Sequence, residues 1–405
     1  MTIKALYPTV RPTLNLDFAK TKALDPRVTF TRASTATYVG ADGLIKTAAS
    51  DAARFDHNPA TRESLGLLVE EARTNLISNS SATGSTNGVI GSGGALPTGW
   101  NLNRLQGGIT VEVISTGTEA NGLAYIDLKF SGTTTDGNWT LLRLGNTFSV
   151  TNGTAYSSFI YAKTVAGTVP GILQFNFPGS SGNVELSSIT ATFAKYSAIL
   201  TSTVTTTVSP LLLIGFSGSG QVLNYTMRIG GIQLEQGSFP TSYIPTTTAT
   251  VTRAADVASM TGTNFSSVFD VTGGTMVAEY YKSAPQQGNG NYVWSLGSNT
   301  PAFAYNNAGG YLELDFTVAL GTVTGTALTG KNKSAFKFQQ GSYAASVNSG
   351  TVFTSSNASS WTTPTSLLIG AGSNVILSRI NSTIARLAYY PVRLSDTQLQ
   401  ALTAT

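Results

Sequence analysis

The chain has 405 residues, of which 41% are hydrophobic and only 11% are charged, and it contains 42 glycines and no cysteine. This length predicts more than one domain, and the shortage of charge together with frequent Tyr, Phe and Gly favours an all-β protein over helical bundles or α/β cofactor enzymes. A single histidine and no cysteine exclude disulfides, thiolate nucleophiles and multi-histidine metal centres, while a net charge of +4 does not indicate nucleic-acid binding.

The first 78 residues are rich in charge and hold 18 of the 44 charged residues. Apolar and polar residues alternate over Leu14–Phe18 and Val28–Phe30, which is the period of half-buried strands. Asp42-Gly43 lies between two apolar pairs and predicts a hairpin turn, because both residues tolerate positive φ. We therefore expect a small β-rich module over residues 1–78 that leans on a neighbour for stability.

A Ser-, Asn- and Gly-rich stretch then leads into a second domain, which we predict to be a jelly-roll sandwich over residues 79–250. Its strand candidates are separated by turn signals. They are Ile109–Ile114, Leu123–Phe130, Trp139–Leu144, Tyr156–Ala162, Ile172–Phe177, Ile189–Leu200, Leu211–Phe216 and Tyr225–Leu234.

Two prolines, Pro240 and Pro245, forbid regular ladder pairing and mark the next boundary. The third domain, over residues 251–405, is predicted to be a β-sandwich that ends in a short helix. Ser395 and Gln398 form a capping box, and Leu394 with Leu399 can form a hydrophobic staple. The strand candidates are Thr275–Tyr281, Tyr292–Leu296, Tyr311–Val318, Ser334–Gln339, Tyr343–Val347, Ser366–Ile369 and Ile384–Tyr390.

Three parts of the chain match patterns of known protein families. The first part combines Arg32–Tyr38, Ala41–Ile45, Arg54–Asp56 and Gly66–Ile77, and it resembles a module of tailed-bacteriophage structural proteins. The second part, Gly231–Pro245, resembles the closing strand of the carbohydrate-binding-module-like jelly rolls that follow this module in phage fibres and spikes. The third part, Ile384–Leu402, is similar to the end of concanavalin-A-like (laminin-G-like) domains. The resemblance implies a tail fibre or spike protein of the virion, often a homotrimer. It also implies that residues 1–78 dock onto other virion subunits and that the later domains face a bacterial surface.

The charged residues Arg32, Arg54, Glu70, Glu71 and Arg73 of the first module have two interpretations. Such groups most often form salt bridges inside one chain, which contribute little when they are exposed. In a module that docks onto other subunits they can instead form the interface. The sequence leaves both interpretations open.

Candidate glycan contacts lie on the predicted loops and turns of the two larger domains. Sugar recognition uses aromatic rings and planar polar groups carried on loops of a rigid sheet. Asn306, Asn307 and Trp294 in the third domain and Trp139 in the second have these properties. Core packing is the alternative for each tryptophan.

Glu313 and Asp315 are the candidate pair for chemistry, since residues i and i+2 of a strand share a face. Glycoside hydrolases need a proton donor beside the nucleophile, and the five residues that follow Asp315 contain no further acid. We therefore predict no enzymatic activity and no required cofactor, with a calcium or sugar contact at Asp315 left open. His57, in a polar loop, lacks the partners of a catalytic histidine.

Lys331, Lys333 and Lys337 form the densest basic patch and are expected on one face of a strand, as a solvated face or edge protection. No apolar run is long enough for a membrane span, and the N-terminus lacks a signal-peptide pattern. We expect a protein made in the host cytoplasm and carried on the virion, without membrane insertion.

Three classes of function remain open from the sequence. The first is a structural or adhesive virion protein that binds host-surface glycan without cleaving it, with a purely structural decoration or baseplate role as a variant. The others are a polysaccharide depolymerase, which requires a carboxylate pair in one cleft, and a secreted lectin or adhesin, which requires an export signal.

Overall fold

The protein is described from a computed structural model, which covers residues 7–215, 218–282, 291–297, 302–306, 311–315, 321–323, 329–356, 361–372 and 379–404. Strands dominate this part of the chain and helices are short, so the all-β prediction is confirmed. Among the described residues, no helix combines the length and the apolar character that crossing a lipid bilayer requires.

Residues 7–72 form short strands and one helical turn. These elements are β1 (Leu14–Asp17), α1 (Phe18–Thr21), β2 (Thr29–Thr31), β3 (Ala36–Val39), β4 (Ile45–Ala48), β5 (Phe55–His57) and β6 (Ser64–Val69). Strands β3 and β4 pair antiparallel as the predicted hairpin. Gly43 in the connecting turn has a φ of +80°, which only glycine adopts without strain.

Strands alone appear in the described part of residues 73–253. They are β7 (Arg73–Asn75), β8 (Gly88–Ile90), β9 (Gly93–Gly94), β10 (Trp100–Arg104), β11 (Ile109–Thr118), β12 (Ala124–Thr133), β13 (Thr140–Leu144), β14 (Phe148–Val150), β15 (Ala155–Gly167), β16 (Ile172–Asn176), β17 (Ser180–Ser181), β18 (Val184–Glu185), β19 (Ala194–Ser202), β20 (Thr206–Val208), β21 (Leu211–Gly215), β22 (Val222–Gln236) and β23 (Val251–Arg253). Each strand candidate predicted from the sequence in this region overlaps one of these strands.

The remainder of the chain returns to strands and ends in a helix. Its elements are β24 (Val257–Thr261), α2 (Gly262–Ser266), β25 (Gly274–Lys282), β26 (Asn291–Ser295), β27 (Ala302–Asn306), β28 (Tyr311–Asp315), β29 (Gly321–Val323), β30 (Gly330–Gln339), β31 (Ser342–Val347), β32 (Phe353–Ser355), β33 (Ser366–Ile369), β34 (Ser382–Tyr390) and α3 (Asp396–Leu402). The predicted capping box of α3 is confirmed, because the side chains of Ser395 and Gln398 each bond the other residue's backbone N–H.

The chain divides into two compact units, and this division differs from the three predicted domains. Unit 1 comprises residues 1–72 and 254–405, and unit 2 comprises residues 73–253. Unit 2 nearly coincides with the predicted jelly-roll range of 79–250. The prediction of a separate N-terminal module over 1–78 is wrong, because β1, β2, β5 and β6 pair into the two large sheets of the C-terminal sandwich.

Unit 1 is a sandwich of two large sheets. The larger has the order β32-β31-β30-β25-β34-β6-β5, with β1 also paired to β34, and the other has the order β2-β24-β33-β26-β27-β28-β29. Apolar side chains from both sheets, including Met276, Phe336 and Leu387 from the first and Phe30 and Ile369 from the second, form one buried core.

The long strand β34 shows how the first residues enter this sandwich. One edge of β34 pairs with β25, while the other edge pairs with β6 at its beginning and with β1 at its end. Gly66 of β6 has a φ of +99°, and a Cβ there would lie 2.1 Å from the carbonyl oxygen of Ile384. A glycine at this position is therefore required for β6 to approach β34.

Unit 2 is a second sandwich, built from an eight-stranded sheet of order β17-β19-β15-β22-β12-β11-β8-β9 and a five-stranded sheet of order β10-β13-β21-β16-β18. Consecutive strands from β15 to β19 alternate between the two sheets, as in a jelly roll. Its core is separate from that of unit 1 and draws on both sheets, for example through Ile126, Ile160, Leu142 and Phe175.

Buried amides and a carboxylate hold the two ends of unit 2 together. The segment after β22 folds back, and the Glu235 carboxylate accepts hydrogen bonds from Thr241 N and Oγ1 at 2.6 and 2.8 Å. The Gln233 side chain accepts from Ile244 N at 2.6 Å. Asn75 donates to the carbonyl oxygens of Ile232 and Ile244. The stretches Gly66–Ile77 and Gly231–Pro245 thus meet here. Their residues Asn75, Gln233 and Glu235 use their side chains for hydrogen bonds inside unit 2.

Replacing Asn75 by alanine is expected to destabilise unit 2 by about 3 kcal/mol or more, because buried backbone groups lose their partners. Besides the two carbonyls, Asn75 Oδ1 accepts from Ile77 N and Leu234 N. Hydrogen exchange across unit 2 measures the loss. Asn224→Ala, on the exposed side of β22, is the control and should change little; equal effects of the two variants would contradict the role given to Asn75.

Candidate functional site

Trp294 is a core residue, which corrects its assignment as a glycan contact. Its side chain is 1% exposed and stacks on Phe336 with ring centroids 5.8 Å apart. A ring that neighbouring side chains cover completely offers no face to a sugar. The alternative of core packing holds for Trp294.

The other predicted residues of the third domain lie in or beside the meander of β27, β28 and β29. Asn306 ends β27 opposite Tyr311, and Asp315 ends β28 opposite Ala302. Glu313 lies in β28, and Asn307 falls outside the described residues. The structure therefore gives the strand positions of Asn306, Glu313 and Asp315, and their proposed contacts with sugar or calcium stay predictions.

Trp139 lies just before β13 in unit 2 and is half-buried. Its carbonyl oxygen accepts a hydrogen bond from Arg104 Nε at 2.9 Å, and its side chain covers Gly215 so closely that an added Cβ would approach it to 3.0 Å. The ring is partly available to a ligand. It belongs to unit 2, whereas Trp294, Asn306 and Asp315 belong to unit 1.

Three charged residues among the first 78, Arg32, Arg54 and Glu70, form a buried ion cluster with Asp256. Asp256 Oδ1 lies 3.1 Å from Arg32 Nη1, Asp256 Oδ2 lies 2.5 Å from Arg54 Nη2, and Glu70 Oε2 lies 2.8 Å from Arg54 Nη1. The side chains of Arg32, Arg54 and Asp256 are 0% exposed. The interpretation of Arg32, Arg54 and Glu70 as a docking interface is wrong, because no other subunit can reach them.

Asp56, His57 and Glu71, which are also among the first 78 residues, make their contacts within unit 1. Burial raises the pKa of Asp56 to about 6, and the nearby charge of Glu70 acts in the same direction. His57 is buried, with Nδ1 3.1 Å from the carbonyl oxygen of Val39. Glu71 accepts from Asn381 Nδ2 at 3.0 Å. None of these contacts creates an accessible reactive group.

A surface cleft in unit 1 is the strongest candidate site, with a volume of about 320 Å³. Ligand sites usually have about 300–1,000 Å³. Its floor is the outer face of the larger sheet, where Glu279 and Tyr281 of β25 lie beside Lys331 of β30 and Arg386 of β34. Residues of one sheet face alternate along each strand, so this floor is rigid and polar.

The rim of the cleft comes from the first residues of the chain. Asp17, Ala19 and Lys20 lie where β1 passes into α1, and Glu63 and Ser64 lie at the start of β6. The buried side chain of Phe18 anchors α1 in the core, and Asp17 Oδ1 caps the turn by accepting from Lys20 N at 3.1 Å. The cleft therefore exists only because residues 1–72 belong to unit 1.

Hydrogen bonds and charges fix most of the groups in the cleft. The Tyr281 hydroxyl donates to Glu63 Oε1 at 2.9 Å, and burial with the adjacent carboxylates of Glu63 and Glu279 raises the pKa of Tyr281 to about 12. Arg386 Nε donates to Asn15 Oδ1 at 2.8 Å, and its Nη1 lies 3.7 Å from Glu279 Oε1. The site thus offers an aromatic ring, carboxylate acceptors and ammonium donors.

The other half of the same sheet face is covered. The C-terminal helix α3 packs there through Leu399 onto a buried apolar patch, together with Leu394, which precedes the helix. Lys337 pairs with Asp396 at 2.5 Å, and Lys333 Nζ donates to the carbonyl oxygen of Ala404 at 2.8 Å. Of the three lysines predicted to share a strand face, Lys331 is the one that lines the cleft.

Sequence reasoning missed this site because its residues come from five separate stretches of the chain. The partial signal was the alternation of Lys331 and Lys333, which correctly placed them on one face. Within the described residues, no group of three or more histidine, aspartate or glutamate side chains has the geometry to hold a metal ion.

Comparison with known proteins gives distant similarities. No family model and no curated protein matches the sequence. A carbohydrate-binding module of the Ruminococcus gnavus IT-sialidase, bound to α2,3-sialyllactose, is 19% identical over 35% of this chain and 88% of its own, with a TM-score of 0.30. The Trypanosoma rangeli sialidase in complex with 2,3-difluoro-KDN is 10% identical over 73% of this chain and 68% of its own, with a TM-score of 0.29. Similarities this low assign neither a fold nor an activity to this chain.

Proposed function

We propose that this chain is an appendage protein of a tailed bacteriophage that binds a host-surface glycan without cleaving it. The phage origin is supported by the order and spacing of the first stretch, which resembles a module of phage structural proteins, while the other two stretches resemble the ends of jelly-roll and concanavalin-A-like folds. In the structure the polar residues of the first two stretches form the buried ion cluster and the hydrogen bonds of Asn75, Gln233 and Glu235. The burial of these residues explains their role in folding. The proposed binding function rests instead on the cleft in unit 1.

The cleft on the outer face of the larger sheet of unit 1 carries the proposal of glycan binding. Tyr281 presents a ring for the C–H face of a sugar, while Glu63, Glu279 and Lys331 provide acceptors and donors for its hydroxyl groups. A weak site of this kind suffices when several copies act together, because each bound site raises the effective concentration at the next. The proposed homotrimer would supply these copies, and light scattering of the purified chain tests it.

Glycan cleavage is the second candidate function, because the cleft contains three carboxylates, at Asp17, Glu63 and Glu279. A glycosidase needs one of its two carboxyl groups as a proton donor. Glu279 Oε1 lies 3.7 Å from Arg386 Nη1, and Glu63 already accepts from Tyr281, so both carboxylates are engaged by partners within the chain. We therefore place binding ahead of hydrolysis. Release of new reducing ends from a bound polysaccharide would reverse this order.

Replacing Tyr281 by alanine is expected to weaken glycan binding about tenfold, since the ring contact is lost. Binding of wild type and variant to a broad glycan array measures the change. Tyr281→Phe keeps the ring and removes only the hydrogen bond to Glu63, so its binding should fall less. An array on which the wild type binds no glycan would contradict the proposed function, and equal binding by all three proteins would move the site elsewhere.

A purely structural virion role is the remaining alternative, and the burial of the family-like motif residues favours it. In that case the wild type would bind neither glycan nor host cells and would be found only in assembled particles. Electron microscopy of a particle with the chain located in the density distinguishes an exposed position from an internal one.

A further inference from the structure

In the cleft of unit 1 the carboxylates have partners within the chain, whereas two lysines do not form ion pairs with described residues. This difference indicates the charge of the ligand. All three carboxylates have partners: Asp17 caps α1, Glu63 accepts from Tyr281, and Glu279 lies 3.7 Å from Arg386 Nη1. Arg386 is engaged by Asn15 and Glu279.

Two ammonium groups are left over. Lys20 and Lys331 are exposed at the cleft, on α1 and β30. Neither side chain forms an ion pair with any residue that the structure describes. Lys333, by contrast, is on the same face of β30 and uses its ammonium group to bind the Ala404 carbonyl.

We infer that the cleft takes an acidic sugar, one that carries a carboxylate on a hydroxyl-rich ring. This inference rests on the proposed glycan-binding function. The ring would lie against Tyr281, its hydroxyl groups would donate to Glu63 and Glu279, and its carboxylate would bind Lys20 and Lys331. A charge-assisted hydrogen bond of this type is stronger than one between neutral groups.

The same arrangement argues against two other ligand classes. A neutral glycan would leave both ammonium groups without an anionic partner. A polyanion without hydroxyl donors, such as polyphosphate, would place its charges beside Asp17, Glu63 and Glu279, and like charges at this range repel.

The test compares one sugar with and without its charge. Binding of the full chain to hexameric oligogalacturonate and to its methyl ester is measured by calorimetry, with inorganic polyphosphate as a third probe. The acid form should bind at least about tenfold more tightly than the ester, and added salt should weaken it. Polyphosphate should bind more weakly than the acid form.

Variants locate the effect. Lys20→Ala and Lys331→Ala should each weaken binding of the acid form about tenfold, while Lys333→Ala, the matched control on the same strand, should leave it unchanged. Equal binding of acid and ester, binding of neither, or equal losses in all three variants would overturn the inference. If one of these results is found but the wild type still binds a glycan on the array in a way that depends on Tyr281, the acidic-sugar inference fails and the proposed glycan-binding function stands. If the wild type also binds no glycan on the array, both the inference and the proposed function fail.

Discussion

Replacing Asp256 by alanine is expected to cost unit 1 about 3–5 kcal/mol of its free energy of unfolding, because removing one partner of a buried ion pair leaves the other charges uncompensated. Asp256 binds Arg32 at 3.1 Å and Arg54 at 2.5 Å, and it accepts from Glu70 N at 2.8 Å. Domains are stable by only about 5–15 kcal/mol. Unit 1 of the variant should therefore unfold at much lower urea concentration, as followed by hydrogen exchange resolved along the chain.

Asp396→Ala is the matched control. Asp396 also pairs with a cation, Lys337, but its side chain is 55% exposed, and exposed pairs contribute about 1 kcal/mol or less. Exchange in unit 2 should be unchanged in both variants. A loss in Asp256→Ala no larger than that in Asp396→Ala would show that the buried cluster does not hold unit 1 together.

Deleting residues 1–72 is expected to prevent unit 1 from folding, whereas a separate docking module could be removed without damage to the rest. The deletion removes β1 and β6 from β34, and β2 from β24. It also removes seven buried core side chains, namely Leu14, Leu16, Phe18, Val28, Phe30, Leu67 and Val69. At about 1.5–3 kcal/mol for each side chain, the loss matches or exceeds the stability of a domain.

The truncated chain should retain protected amides only within residues 73–253. Hydrogen exchange and limited proteolysis of the 73–405 chain measure this pattern, with the full chain as the reference. Recovery of a folded 254–405 region would contradict the shared sandwich and restore the idea of an independent N-terminal module. If the truncation unfolds unit 1, the truncated chain cannot be used to locate the subunit interface of the proposed trimer.

Local patterns in the sequence predicted most of the strands correctly. Alternation over Leu14–Phe18 and the run Thr275–Tyr281 mark β1 and β25 because one face of each strand is buried and the period of a strand is two. The helix α3 was equally predictable, since its capping box involves only neighbours in sequence. These signals depend on short-range chemistry and so do not need the tertiary structure.

The assignment of strands to units could not be predicted in the same way. Asp256 and Arg54 are 202 positions apart, and nothing local indicates that they pair. The high charge density of residues 1–78 suggested a separate module. The sequence does not show, however, that Arg32 and Arg54 need a partner, Asp256, from outside this segment. The candidate cleft was missed for a related reason, because Lys20, Glu63, Tyr281 and Lys331 meet only after the two segments of unit 1 have combined.

The paired strands β7 and β23 make residues 73–253 an insert with neighbouring ends. Arg73 lies opposite Arg253 in this antiparallel pair, and facing residues in such pairs are only about 5 Å apart. Chain continuity therefore allows unit 2 to be replaced, by recombination or by design, with another domain whose termini lie side by side. Such a replacement leaves in place all the residues that build the unit 1 sandwich.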